Sequence, residues 1–286
     1  MDRAKAVKKI KRYQRLSKLL LRKRTAASVR SVETSYGPVR VLEYGFDDKD
    51  AKPLFVDIHG GGYAFMSPEH DEKLNLKILE RTNVKIISID YPKAPQHPYP
   101  AGIEATYEVI RHYYENASEY GIDSNNIGVG GHSSGGNFAT VTCMKAKERK
   151  DIEIKYQILV YPGTDAATDP YTRPKCKKGL SNKMIEMIVL SYVEDLEQTR
   201  SPYVSPVLAT NDQLTGLPKA LVILAGDGDP LTPEGRVYAE NMRRAGVNVE
   251  LHEFADTLHG FVHKRSPDAE KAMDLIIDFI NNENAA

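Results

Sequence analysis

Tryptophan is absent from this 286-residue chain, and cysteine occurs only as Cys143 and Cys176. Two cysteines without C-x-x-C spacing support neither a zinc knuckle nor a redox dithiol. Free thiols in a reducing compartment suit them better than a disulfide framework. Net charge is lacking too: 39 basic and 39 acidic side chains cancel, which removes bulk electrostatics as a means of holding nucleic acid. The longest apolar run near the N-terminus is Leu19-Leu20-Leu21, far short of a signal-peptide core or the ~20 residues of a membrane helix. The expectation is a cytoplasmic protein. Internal repeats and low-complexity stretches are missing as well. With 41% hydrophobic residues, the chain can bury about three quarters of its unfolded surface without a staple.

The charge that cancels overall is unevenly placed. Residues 1–24 hold eleven basic side chains against the single acid Asp2, a net +10 that the remainder balances with −10. Val7, Ile10, Tyr13, Leu16 and Leu20 recur at three- or four-residue spacing, the pattern of a basic amphipathic helix. The stripe is narrow and has no Trp or Phe anchor, so it reads as packed on the protein body with its Lys/Arg face in water. A membrane-surface contact by residues 1–24 is the alternative.

From residue 28 on, strands alternate with helices. Val29–Thr34 and Val39–Tyr44 flank the turn signal Tyr36-Gly37-Pro38, as in a hairpin. Leu54–Ile58, Lys85–Ile89, Ile127–Gly131, Tyr156–Tyr161, Ala220–Ala225 and Val247–Phe254 are further strand candidates. Between them Leu74, Ile78 and Leu79 mark one helix, and Ile103, Tyr107, Ile110 and Tyr114 mark another. A helix over about 135–147 follows a glycine-rich turn. Ala269, Ala272, Met273, Ile276 and Ile280 share one face of a last helix. This order predicts an α/β fold, a mostly parallel sheet with helices on both faces. Residues 163–218 break the rhythm with a helical pattern of their own (Met184, Met187, Ile188, Tyr192). An insertion of that length at the carboxyl edge of a parallel sheet would lie over the ligand crevice.

Two motifs carry chemistry. Gly131-His132-Ser133-Ser134-Gly135 fits G-x-S-x-G, in which glycines permit a sharp strand-to-helix turn that holds a serine hydroxyl out at the sheet edge. His59-Gly60-Gly61-Gly62 follows the strand Leu54–Ile58 and has an accidental expectation of about 0.003 in such a chain. Three residues without side chains let backbone N–H groups converge on one point, which suits an oxyanion. A phosphate cradle fits less well, because no Lys-Ser/Thr follows. Asp227, Asp229 and Glu234 come after the strand Ala220–Ala225, and His259 comes after the strand ending at Phe254. Ser, then Asp or Glu, then His is the α/β-hydrolase triad order, with each member at a carboxyl strand end. His252 and His263 read as structural histidines.

With these residues the chain resembles the hormone-sensitive-lipase-like branch of the α/β-hydrolases, the HGGG-motif esterases and lipases known as bacterial family IV. Asp90-Tyr91-Pro92-Lys93-Ala94-Pro95-Gln96-His97-Pro98-Tyr99-Pro100-Ala101 looks like the family's D-Y-R-L-A-P-E-H-P-[FY]-P-A, with Pro92, Lys93 and Gln96 departing. Ser201-Pro202-Tyr203-Val204-Ser205-Pro206 is similar to S-P-x-x-S-P, and Asp229-Pro230-Leu231 to D-P-L. The resemblance spans about residues 54–261. It implies an α/β-hydrolase fold with Ser133 as nucleophile, His259 as general base and acid, and Asp229 rather than Asp227 as its orienter. It also implies oxyanion donors at the amides of Gly61, Gly62 and Ser134, with Gly60 part of the oxyanion motif and His59 positioning the loop. A helical cap is implied at residues 1–25 and 165–213, over a catalytic domain at 26–164 and 214–286. Tyr63 and His132 are candidate substrate contacts; His132 stands where the family usually has Asp.

The implied activity is hydrolysis of short-chain acyl esters, acetyl to about hexanoyl, through an acyl-enzyme, with no metal or cofactor. Since neutral imidazole is the base, the rate is expected to rise with pH between 5 and 8. The expected partner is a small-molecule ester, with a homodimer compatible with the sequence. The rival functions are a deacetylase of sugars or other small molecules, a formamidase-like amide hydrolase, and a ligand-binding protein on the same fold such as the plant gibberellin receptors.

Overall fold

A computed structural model describes residues 1–18, 25–47, 49–176 and 178–285, with backbone only at 17 and 18. In chain order its elements are α1 (Arg3–Lys18), β1 (Ser28–Thr34), β2 (Gly37–Tyr44), β3 (Lys52–Ile58), α2 (Glu72–Arg81), β4 (Lys85–Asp90), α3 (Ala101–Glu115) and α4 (Ala117–Tyr120). There follow β5 (Ile122–His132), α5 (Ser134–Arg149), β6 (Tyr156–Val160), α6 (Asn182–Tyr192), α7 (Asn211–Leu214), β7 (Lys219–Ala225), α8 (Thr232–Arg244), β8 (Val249–Phe254) and α9 (Pro267–Ala285).

Among the described residues the strands form one eight-stranded sheet in the order β1-β2-β4-β3-β5-β6-β7-β8. The β1–β2 and β2–β4 pairs are antiparallel and the others parallel. All five residues of β6 are buried, as expected of a strand covered on both faces. One face packs against α3, α5 and α8 through Tyr107, Phe138 and Tyr238. The other packs against α2 and α9 through Leu74, Ile78, Met273 and Ile276. Strand β8 ends the sheet with only Val249 buried and Glu250 and Glu253 exposed.

The expected strands are all present, with shifted ends. The hairpin turn lies at 35–36, not at Tyr36–Pro38, because Thr34 already pairs with Gly37, whose φ of 96° starts the second strand. β5 begins at Ile122, well before Ile127, with an irregular register against β3 between Lys52 and Leu54. β8 starts at Val249, since the Val247 N–H closes the end of α8 on the Met242 carbonyl.

Between β6 and β7 the inserted segment carries α6 and α7. Helix α6 lies against α1, where Ala6 and Ile10 pack with Ala64, Met187 and Leu190. Gln14 fixes the helix further by donating to the carbonyls of Ala64, at 2.7 Å, and Ala94, at 2.8 Å. Tyr13 and Leu16 of the expected stripe stay exposed, and Leu20 lies outside the described residues. No helix among the described residues is long and apolar enough to cross a membrane.

Candidate active site

Ser133 follows the last residue of β5 and precedes α5, with φ 56° and ψ −116°, a region that non-glycine residues rarely occupy. Close crossing of chains holds it there. A Cβ on Gly131 would stand 2.5 Å from the Ile58 carbonyl oxygen and 2.5 Å from the Gly135 carbonyl carbon. The Ser133 N–H donates to the Val160 carbonyl at 2.9 Å, and its carbonyl accepts from Gly163 at 3.1 Å. The turn is thereby tied to the end of β6. Asn137, one helical turn on, donates to the carbonyls of Gly163 and Val204. This gives the Ser201–Pro206 stretch a structural role behind the serine.

The structure brings Ser133, His259 and Asp229 into one line. His259 Nε2 lies 2.9 Å from Ser133 Oγ, and His259 Nδ1 lies 2.8 Å from Asp229 Oδ2. Asp229 is fully buried, and its other oxygen accepts from the Leu231 N–H at 3.0 Å. A fully buried carboxylate bonded on both oxygens is held in one orientation. Asp227, the alternative acid, points outward to Arg236. Glu234 pairs with Arg173 and accepts from the Thr164 N–H.

The loop after β3 faces this line. Gly61 and Gly62 have φ of 118° and 59°, and a Cβ on Gly62 would meet Ile188 Cδ1 of α6 at 2.5 Å. Among the described residues no backbone bond in a turn or loop uses the amides of Gly61, Gly62 or Ser134 as donors, and all three residues border the same cavity as Ser133. Gly60 packs on the His132 carbonyl. His59 is buried and stacked on Tyr91, with ring centroids 4.3 Å apart, and its Nδ1 lies 2.6 Å from the Gly60 carbonyl. Burial, with Lys93 nearby, pushes its pKa down to about 4, so the ring is neutral at pH 7 and holds the loop as a donor.

A cavity of about 560 Å³ opens at Ser133. Phe65, Met66, Leu180, Met184 and Ile188 line it on the α6 side, and Tyr161, His70, His132 and His263 line it elsewhere. Tyr63 also borders it, stacked on Tyr192 at 3.8 Å. A profile of the α/β hydrolase fold matches residues 55–263.

This chain belongs to the α/β-hydrolase family.

Within that family it falls in the hormone-sensitive-lipase-like esterase branch. The hydrolase is 33% identical over 218 residues to a carboxylesterase, NlhH, of Mycobacterium tuberculosis, covering 75% of this chain and 68% of that one. An ethyl acetate hydrolase of Pseudomonas putida is 27% identical, over 84% of this chain and 77% of its own. In three dimensions the hydrolase superposes on the hyperthermophilic esterase of Pyrobaculum calidifontis with a TM-score of 0.85, at 27% identity, covering 100% of this chain and 93% of that one.

Three residues of the site, His70, Asp71 and Tyr161, were not singled out in the sequence, and His263 was read there as structural. Asp71 is fully buried, and its Oδ1 lies 2.6 Å from His263 Nε2. Its Oδ2 lies 3.5 Å from His132 Nδ1. Three imidazoles and the buried Asp57 thus surround one carboxylate. The charge of His132 holds the Asp71 carboxyl far below its ordinary range against the opposing effect of burial. The His132 ring is raised in return by Asp71, also against burial. His132 therefore sits beside the nucleophile with its Nδ1 turned to a buried carboxylate. Two sets in this cluster, His70–Asp71–His263 and Asp57–Asp71–His132, bring their ligand atoms within 4.8 Å and are the hydrolase's candidate cation-binding groups; Asp71 is common to both. No spacing motif links Asp71 to His263 in the sequence. Lys93, where the family pattern has leucine, pairs with Asp90, which also binds Arg40.

Proposed function

We propose that this hydrolase cleaves short-chain carboxylic esters through an acyl-enzyme on Ser133. His259 takes the Ser133 proton as the hydroxyl oxygen attacks the ester carbonyl, and Asp229 holds the imidazole in the tautomer that can do so. The amides of Gly61, Gly62 and Ser134 receive the oxyanion, each worth about 3–4 kcal/mol in the transition state. His259 then gives its proton to the leaving alcohol. Water repeats the sequence, and the acid departs.

The observation that carries this reading is the unbroken line Ser133–His259–Asp229 at 2.9 and 2.8 Å, with Gly61, Gly62 and Ser134 bordering the same cavity. A protein that only bound a ligand would have no use for a buried acid orienting that imidazole. Similarity to a carboxylesterase and an ethyl acetate hydrolase supports ester over amide and a short acyl group. The same reading assigns residues 1–25 and 165–213 to a cap. Its support is the packing of α1 on α6 above the cavity.

Hydrolysis of p-nitrophenyl esters from acetate to decanoate, parent beside Ser133→Ala, tests this function. The expected result is Ser133-dependent turnover that peaks at short chains. Turnover that survives Ser133→Ala overturns the mechanism, and a maximum at decanoate overturns the substrate class.

A further inference from the structure

Asp71 occupies the N-cap position of α2, where an aspartate ordinarily accepts from the first helical N–H groups. It makes no such side-chain bond; its backbone carbonyl alone receives the Leu74 and Asn75 amides. The carboxylate turns inward instead, fully buried. Burying an anion costs several kcal/mol unless partners offset it, so the groups it faces indicate its use.

Those groups come from the two segments that must meet for hydrolysis. One is His263, 2.6 Å away, on the turn Phe261–His263 that ends the loop bearing His259. The other is His132, at 3.5 Å, the residue before Ser133. Tyr161 closes the circuit. Its hydroxyl lies 3.4 Å from His263 Nδ1, and its ring stands 4.7 Å from that of His259. Asp57 faces the same cluster from β3, held by Asn75 and Ser88, and His70 packs at a tilt against His263 with centroids 4.5 Å apart. The carboxylate of Asp229, by contrast, is bonded to His259 and to its own turn at Leu231.

We propose that Asp71 is a positioning residue for hydrolysis: it clamps the His259 loop, through His263, to the strand end that carries Ser133, through His132. The proposal rests on Ser133 and His259 being the reacting pair. Asp71 touches neither. It acts by fixing their separation, and a displacement of about 1 Å between reacting groups can cost about 10²-fold in rate.

The test measures kcat and KM on p-nitrophenyl acetate for the parent, Asp71→Ala, Asp71→Asn, His263→Ala and the double variant Asp71→Ala/His263→Ala. Each kcat is expressed per serine titrated with a stoichiometric organophosphate, so a misfolded fraction drops out. Asp71→Ala is expected to lower kcat about 10²-fold with KM within about threefold. Asp71→Asn keeps an acceptor for His263 and recovers part of that loss. The double variant falls no further than the worse single one, since both break the same clamp. The His263→Ala change, at a side chain 19% exposed, carries the test if Asp71→Ala does not fold. Either single variant with a per-serine kcat within twofold of the parent overturns the clamp, whatever its thermal stability. A parent whose turnover does not depend on Ser133 refutes the function instead, a different result.

Discussion

Gly131→Ala adds one methyl group at a close backbone crossing of the active site. The new Cβ would lie 2.5 Å from Ile58 O, 2.5 Å from Gly135 C and 2.6 Å from Gly135 O. All three are backbone atoms, so no rotamer change relieves the clash. Ordinary contact begins at about 3.4 Å, so the end of β3 and the start of α5 must each draw back from Gly131 by roughly 0.9 Å. Ile58 leads directly into His59–Gly62, and Gly135 lies two residues past Ser133. The separation therefore opens the distance between the hydroxyl and the loop amides proposed to receive the oxyanion. A displacement of that size is expected to lower kcat about 10²-fold, or about 2.7 kcal/mol of transition-state stabilisation. The overpacking itself costs about 1–3 kcal/mol of stability, several degrees in Tm for a chain this long. Steady-state kinetics on p-nitrophenyl acetate, beside thermal unfolding, measures both. A folded Gly131→Ala variant with kcat within about threefold of the parent would refute the reasoning, because the crossing would then yield without moving the site.

Asp229→Asn should keep the fold and lower kcat about 10⁴-fold, as loss of the orienting carboxylate does in other serine hydrolases; a loss below tenfold would mean that another group orients His259. Burial, together with the charge of Asp71, pushes the Asp57 carboxyl up to about 7 from an ordinary 3.8. Between those values the folded protein keeps a proton that the unfolded chain has released, so stability falls as pH rises through that window and levels off above it. Chemical denaturation at pH 4 to 8 should show the parent losing stability relative to Asp57→Asn as pH rises, and parallel curves would exclude the effect. Ile10→Ala in α1, at a fully buried position, should cost about 2–5 kcal/mol and raise KM by loosening α6. An unchanged Tm and KM would show that α1 rests on the body without supporting the cavity wall.

How far the sequence led depends on the distance over which each signal acts. Strand β6, a short apolar run between turn residues, and α9, with its five-residue apolar face, were legible because burial imposes a period on neighbouring positions. The Gly131–Gly135 and His59–Gly62 motifs were legible because a backbone crossing admits only glycine. Asp71 and His263 were not. Their bond joins positions 192 apart, and a lone buried aspartate and a lone histidine leave no local pattern when each answers only to the other. Element ends failed for a similar reason: β8 starts at Val249 because a tertiary bond from Val247 to Met242 finishes α8 first. The N-terminal helix was legible as amphipathic, and the family resemblance grouped it with residues 165–213, but the side chains it meets were not legible. What Ile10 packs against is set by α6, whose place in the fold no periodicity reports.

Strand β8 has consequences beyond the site. Its outer side is the open margin of the sheet, a row of backbone donors and acceptors that another strand could extend. Along that margin stand Glu250, His252 and Glu253, with Glu250 holding His252 at 2.7 Å and Arg236 folded over Glu253. A second copy adding its own β8 would have to strip water from this row of polar side chains, a cost set against the backbone pairs it gains. The opposite margin, β1, is guarded in the same manner by Arg30 bound to Glu43. A strand added at either margin must therefore displace charge before it gains a backbone hydrogen bond.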